Sequence, residues 1–314
     1  MRVALAFGAG GIVGAAWMIG ALDALEQHGG LRPAETAEVL GTSVGSLIAV
    51  MLAAGMPTKA MAAYANGELD GTLEPLAGHD ATALRLARLP LPLRPGSLSM
   101  ALRARAGAGR LTGLLPRGAV STAAIASLVD RVVGERWPRR EIRIVACEYA
   151  NGERVELGPG RAPDCAPAAA VAASCAIPGL YEPVAIGGRD YVDGGIHSHS
   201  NLDLLAGSEL DAVIALNPMS SGAWVGGGGL RERAAALRRR RSAARLAVEA
   251  QHLRAAGVQV LVLEPAFSDI AAMGPHMMAR GRRGEVIEAG RASTERALRR
   301  LGRKRLRLLG LTPG

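Results

Sequence analysis

Five consecutive apolar residues, Val3, Ala4, Leu5, Ala6 and Phe7, run into a stretch punctuated by glycine, Gly8-Ala9-Gly10-Gly11-Ile12-Val13-Gly14. An apolar run of that length without polar alternation predicts a strand buried on both faces. A helix is expected over residues 15–27, stopping at Gly29-Gly30. The order then repeats. A short apolar strand at 38–40 leads into Gly41-Thr42-Ser43-Val44-Gly45, and an apolar helix at 46–54 ends at Gly55 with Pro57 beyond. Strand, glycine turn and helix occurring twice in succession is the α/β pattern.

From 64 to 118 the periodicity breaks. Pro90, Pro92, Pro95, Gly107 and Gly109 interrupt it, and Leu and Arg fill the gaps, so short helices and loops forming a cap or entrance are expected there. Regular pattern resumes with a helix at 121–133 and strands at 142–147, 154–157, 184–186, 211–216 and 258–263. A glycine linker, 226–229, precedes a basic helical part, 229–314, with helices at 231–256 and 285–309. No repeat of fixed period is present. The fold expected is a single α/β domain over 1–314: three layers, with a central mostly parallel sheet and helices on both faces.

Composition sharpens this picture. Hydrophobic residues make up 49% of the chain but aromatics only 3%, so Ala, Val, Leu and Ile must fill the core. That suits helices on a parallel sheet better than a sandwich. The net charge of +9 is carried by arginine, Lys59 and Lys304 being the two lysines. Such a bias is of the kind a GC-rich genome imposes, and by itself it does not choose among an anionic membrane, nucleic acid and acidic partners. Cys147, Cys165 and Cys175 form no C-x-x-C pair and read as reduced thiols, so a cytoplasmic protein is expected. The N-terminus lacks the plan of a signal peptide, and no apolar run reaches the roughly 18 residues that a spanning helix needs, which leaves peripheral contact with a membrane.

Gly41-Thr42-Ser43-Val44-Gly45 is a G-x-S-x-G match on a strand-to-helix turn. There the glycines tolerate close approach, and the turn pushes the Ser43 hydroxyl toward substrate. A serine nucleophile needs a base and an oxyanion stabiliser. The loop from Gly8 to Gly14 offers backbone N–H donors at a helix N-terminus. Gly8-x-Gly10-x-x-x-Gly14 also resembles a dinucleotide loop, but no strand ending in Asp or Glu follows to hold a ribose; Glu35 lies in a loop after Pro33. For the base, Tyr191-Val192-Asp193-Gly194-Gly195 places an acid at a strand end. The competing explanation of that pentapeptide is a plain Asp-Gly turn.

Three blocks in series resemble the patatin-like phospholipases: the glycine loop with its helix (7–26), Gly41 to Gly45, and Ala172-Ala173-Ser174-Cys175-Ala176-Ile177-Pro178 through Tyr181-Glu182-Pro183 to Asp193-Gly194-Gly195. Their order and spacing match over residues 3–201. The resemblance implies a Ser-Asp dyad, with Ser43 the nucleophile, Asp193 the base, and Gly10 and Gly11 in the oxyanion loop. Gly8, Gly14, Gly41, Gly45, Gly194 and Gly195 support these motifs. It also implies an acyl lipid or phospholipid substrate, no metal or organic cofactor, and no nucleic-acid partner. One departure stands out: many members carry Arg or Lys just before the last glycine of the loop, where this chain has Val13. An acyltransferase or thioesterase on the same dyad is the alternative, and a non-catalytic lipid-binding relative the third.

Other candidates weigh less. His197 and His199, if on a strand, would point to one face, but no carboxylate or cysteine set joins them as metal ligands. A Ser43–Asp193–His triad is the livelier alternative, against which the resemblance stands, since the family's acid contacts the serine directly. Cys147 and Cys175 read as small buried fillers, and Asp190 as the cap of a turn after Gly187-Gly188. Arg238 to Arg241 are expected as a solvated helix face, with contact to acidic lipid as the competing use.

Overall fold

A computed structural model describes residues 1–68, 94–104, 109–222 and 229–312. The chain runs β1 (Val3–Phe7), α1 (Gly11–Gly29), β2 (Glu38–Thr42), α2 (Val44–Ala53), α3 (Thr58–Asn66), α4 (Leu98–Arg103), α5 (Gly109–Gly113), α6 (Ala123–Val132), β3 (Glu141–Glu148), β4 (Arg154–Leu157), α7 (Pro167–Ser174), β5 (Val184–Ile186), β6 (Arg189–Asp193), β7 (Ala212–Leu216), α8 (Leu230–Ala255), β8 (Gln259–Leu263), α9 (Phe267–Met273), α10 (Arg283–Arg300) and α11 (Arg303–Leu308).

The five strands β3-β2-β1-β7-β8 are parallel neighbours in that order, while β4, β5 and β6 add antiparallel pairings beyond β3. The expected mostly parallel sheet is therefore present. Side chains of β1 divide between its two faces. Val3, Leu5 and Phe7 join a large core with α1, α2, α6, α7 and α10, whereas Ala4 and Ala6 join a smaller one with Leu246, Ala250 and Leu253 of α8.

Most of α1 is buried, with α10 packed along it. The two backbones meet closely: a Cβ on Gly20 would stand 2.0 Å from the Ile287 carbonyl oxygen, and one on Gly290 2.5 Å from that of Trp17. Glycine at both positions is what permits this contact.

Several boundaries differ from expectation. The first helix starts at Gly11 rather than 15, so Gly10 caps it and Gly11 opens it. Tyr64 belongs to α3, which packs on α1, rather than to an irregular entrance. The last helix is two, α10 and α11, broken around Leu301-Gly302, where glycine loses the contest with helix continuation. Pro167–Ser174 is a helix that the alanine run did not announce. Pro90, Pro92 and Gly107 of the expected cap, and most of the glycine linker, lie outside the described residues.

Candidate active site

Register brings the two halves of the site together. On β3, β4 pairs with residues Ile144 to Cys147, so it occupies one edge. The partners of β2 (Glu141 to Val145) and of β6 (Ala146 to Glu148) both overlap that stretch, which puts both strands on the opposite edge. There they run toward each other, β2 ending with Thr42 opposite Val145 and β6 ending with Asp193 opposite Ala146. Ser43 follows Thr42 directly, so two carboxyl-terminal strand ends abut.

The turn at Ser43 is tight. Its backbone lies at φ 55°, ψ −130°, in the positive-φ region that a side chain occupies at a cost on the order of 1–3 kcal/mol. Three hydrogen bonds hold it. The Ser43 N–H donates to Ser174 Oγ at 2.8 Å, and the Ser43 carbonyl accepts from Ser46 N–H at 2.8 Å and Ser46 Oγ at 2.5 Å. Ser174 Oγ in turn donates to the Val145 carbonyl at 2.7 Å, tying the turn to β3. A Cβ on Gly45 would lie 2.2 Å from the Phe7 carbonyl oxygen, and one on Gly41 2.5 Å from Ser46 Cα, so neither glycine of the motif can be replaced without displacing backbone.

Asp193 is buried beside the Ser43 side chain and accepts the Gly195 N–H at 2.7 Å. Burial pushes its carboxyl up from the ordinary 3.8 to about 6, against the downward pull of the Ser43 hydroxyl and the Gly195 N–H. Gly194 is held against β3: a Cβ there would meet the Val145 carbonyl oxygen at 2.4 Å. Below the dyad, buried Asn201 donates to Thr42 Oγ1 at 3.1 Å and to the Ser198 carbonyl at 2.7 Å, and so links the segments after β6 and before Ser43.

The glycine loop lies over the same point. Its amides are largely spoken for: Gly8 donates to the Leu216 carbonyl, Ala9 to His199, Val13 to Met277 and Gly14 to Gly10. The Gly10, Gly11 and Ile12 N–H groups find no acceptor among the described residues, and they sit at the positive end of α1. Gly11 has φ +61° and a Cβ there would be 2.8 Å from the Met277 carbonyl oxygen. Pro218 fills the space beside Gly10 and Gly14, and Arg239 of α8 donates to the Pro218 carbonyl at 2.6 Å.

Gly11 and Ser43 line a largely apolar cavity with Ile12, Ile19, Leu47 and Ile48, flanked by Met51, Met61 and Ile177. Cys175 lines it too, and burial pushes its thiol far up, as it does Cys147 to about 12. Neither is a ready thiolate.

The remaining candidates lie elsewhere. His197 and His199 follow a turn, not a strand. His197 Nε2 is 3.3 Å from Arg245 Nη2 and His199 Nδ1 3.1 Å from Ser242 Oγ, and neither ring hydrogen-bonds Ser43 or Asp193 among the described residues. Asp190 is an ion-pair partner of Arg117 at 2.8 Å, not a turn cap. No group of three or more metal-ligating side chains occurs among the described residues. Ser174 and Asn201 escaped the sequence reading as positioning groups, although Ser174 stands within the Ala172–Pro178 block and Asn201 at the end of the matching stretch.

On this α/β sheet, then, a strained serine turn faces a buried carboxylate. The chain matches the patatin-like phospholipase family over residues 5–206 and belongs to that family. It is 29% identical over 224 residues to the uncharacterized protein YqhO of Bacillus subtilis (strain 168), covering 67% of this chain and 69% of that one. Among solved structures it is similar to the type III effector ExoU, with 16% identity and a TM-score of 0.40, covering 97% of this chain and 53% of ExoU. It is also similar to VipD from Legionella pneumophila, with 15% identity and a TM-score of 0.43, covering 95% of this chain and 66% of VipD. The chain thus spans about half of ExoU and just under two thirds of VipD.

Proposed function

We propose that the protein hydrolyses carboxylic esters of acyl lipids, with Ser43 as nucleophile, Asp193 as general base and the Gly10 and Gly11 amides as oxyanion donors. What supports this is the placement of the Ser43 hydroxyl beside a buried carboxylate and an apolar cavity. Asp193 takes the hydroxyl proton as Ser43 Oγ bonds to the ester carbonyl carbon, and the displaced π pair resides on the carbonyl oxygen opposite the two amides. Collapse breaks the ester C–O bond, and the departing alcohol takes the proton from Asp193. Water then adds to the acyl-enzyme, giving its proton to the same carboxylate. The fatty acid leaves as Ser43 regains its hydrogen.

The cavity's lining suits an acyl chain, and no described helix is long and apolar enough to cross a membrane. We further propose that the enzyme meets its lipid as a peripheral protein in a cytoplasmic setting, in keeping with three free cysteines. Fluorophosphonate labelling tests the chemistry. The wild type should label at Ser43 and Ser43→Ala should not; labelling retained in that variant would sink the assignment.

A further inference from the structure

The stripe of α8 that faces the sheet is apolar with two exceptions. Leu246, Ala250 and Leu253 share a core with Ala4, Ala6 and Val213, and buried Ser242 and Glu249 lie on the same stripe at helical spacing. A carboxylate in such a stripe is costly to bury unless its oxygens are hydrogen-bonded, and an apolar residue of similar size would often serve stability as well. What Glu249 holds is therefore informative. Its Oε2 accepts the Ser200 hydroxyl at 2.6 Å and the Leu202 N–H at 2.9 Å, while Oε1 accepts Arg245 Nε at 3.0 Å. Ser242 Oγ lies 3.1 Å from His199 Nδ1. Both polar residues of the stripe grip one turn, residues 198–202.

That turn touches every part of the proposed site. The His199 carbonyl accepts the N–H of Ala9, which stands between Gly8 and Gly10 of the glycine loop, at 2.8 Å. Asn201 Nδ2 donates to Thr42 Oγ1 at 3.1 Å, next to Ser43, and to the Gly194 carbonyl at 3.4 Å, next to Asp193. Arg154 Nη1 donates to Asn201 Oδ1 at 3.3 Å, which fixes the way the amide faces. Asn201 itself has φ 50°, a left-handed conformation that a residue with a side chain keeps only where its surroundings enforce it. Ser200 and Leu202 are its two neighbours, and Glu249 holds both. The grip comes from outside residues 5–206, which match the family.

We propose that Glu249 is a positioning residue. By holding Ser200 and Leu202 it keeps Asn201 in its strained conformation, and through the 198–202 turn it keeps the glycine loop, Ser43 and Asp193 in mutual register. It touches none of the reacting atoms. The catalytic consequence rests on the hydrolase reading; the positioning does not.

Steady-state kinetics on p-nitrophenyl butyrate and amide hydrogen exchange read by mass spectrometry separate the two. Glu249→Ala, measured where circular dichroism shows it folded, should lower kcat about tenfold or more with KM within about twofold, as misplaced reacting groups do. Glu249→Gln, whose amide oxygen still accepts a hydrogen bond, should recover most of that loss. In Glu249→Ala, exchange should quicken at residues 8–11, 42–45 and 193–202 and keep its wild-type rate in α10. Ser200→Ala removes one arm of the grip and should lower kcat about threefold or more with KM unchanged, so it decides the matter if Glu249→Ala does not fold. Wild-type kcat in folded Glu249→Ala, or in Ser200→Ala, would overturn the positioning role. So would exchange quickened evenly along the chain, the mark of a residue that merely stabilises the fold. If the wild type hydrolyses no ester, the hydrolase reading fails, and the exchange pattern alone decides the role of Glu249.

Discussion

Thr42 and Asp193 face consecutive positions, Val145 and Ala146, on one edge of β3. One belongs to a strand near the start of the chain and the other to a strand reached only after α7 and a hairpin. Because β2 is parallel to β3 and β6 antiparallel to it, their carboxyl ends meet. A residue extending past either end must then face the other. The Ser43–Asp193 contact is in this sense a property of sheet register, with β3 as the common template.

Ser174 is the pin between that template and Ser43. Ser174→Ala removes the acceptor of the buried Ser43 N–H and the donor to the Val145 carbonyl, at an expected cost of about 1–3 kcal/mol in stability. As a positioning residue it should lower kcat on a soluble p-nitrophenyl ester by roughly tenfold with little change in KM. Equal changes in both parameters, or none, would show that it merely fills space.

The Asp193 carboxyl sets a pH dependence. In the proposed mechanism the ionised form is the base, so kcat/KM should rise with pH around a midpoint of about 6. Stability has the opposite sign. With a folded-state pKa above the unfolded value, the native protein holds the extra proton between about 3.8 and about 6. The stabilisation is complete below the lower value and lost as pH rises through the upper one. Asp193→Asn, which cannot ionise, should therefore have a higher Tm than wild type at pH 8 and a smaller difference at pH 4. A lower Tm at pH 8 would contradict burial as the dominant influence on this group.

The four arginines of α8 are not equivalent. Arg238, Arg240 and Arg241 are exposed, whereas Arg239 turns inward to the Pro218 carbonyl, behind the glycine loop. Replacing Arg238, Arg240 and Arg241 by Gln should weaken binding to anionic vesicles, at roughly 1 kcal/mol per charge near the surface. Arg239→Gln should instead lower the hydrolysis rate of a soluble ester, by loosening the support of Gly10 and Gly14. Equal vesicle binding at low salt by the triple variant and wild type would leave those side chains as a solvated face.

Much of this was legible in the sequence where backbone geometry constrains residue type. The turn at Ser43 admits only glycine at 41 and 45, and Gly11 has no room for a side chain, so the motifs announce themselves. Alternation of Val3, Leu5 and Phe7 with Ala4 and Ala6 likewise records a sheet covered on both sides. Less visible was whatever depends on distant packing. Pro167–Ser174 is too uniformly alanine to show an amphipathic face, which hid both the helix and the role of Ser174. Glu249 reaches the turn at 198–202 only because α8 lies across the second face of the sheet, a contact between distant parts of the chain. The two histidines after Asp193 looked like partners by proximity in sequence, but the turn beginning at Gly194 sends their rings to Arg245 and Ser242.

The direct Ser43–Asp193 contact, with no histidine between, is tested most sharply by kcat/KM on a soluble p-nitrophenyl ester for three single variants. Asp193→Asn should lose on the order of 10³-fold or more, as removal of the only base does. His197→Ala and His199→Ala should each stay within about tenfold of wild type, since neither ring hydrogen-bonds the dyad among the described residues. A histidine variant as inactive as Asp193→Asn would contradict the dyad and make the site a triad.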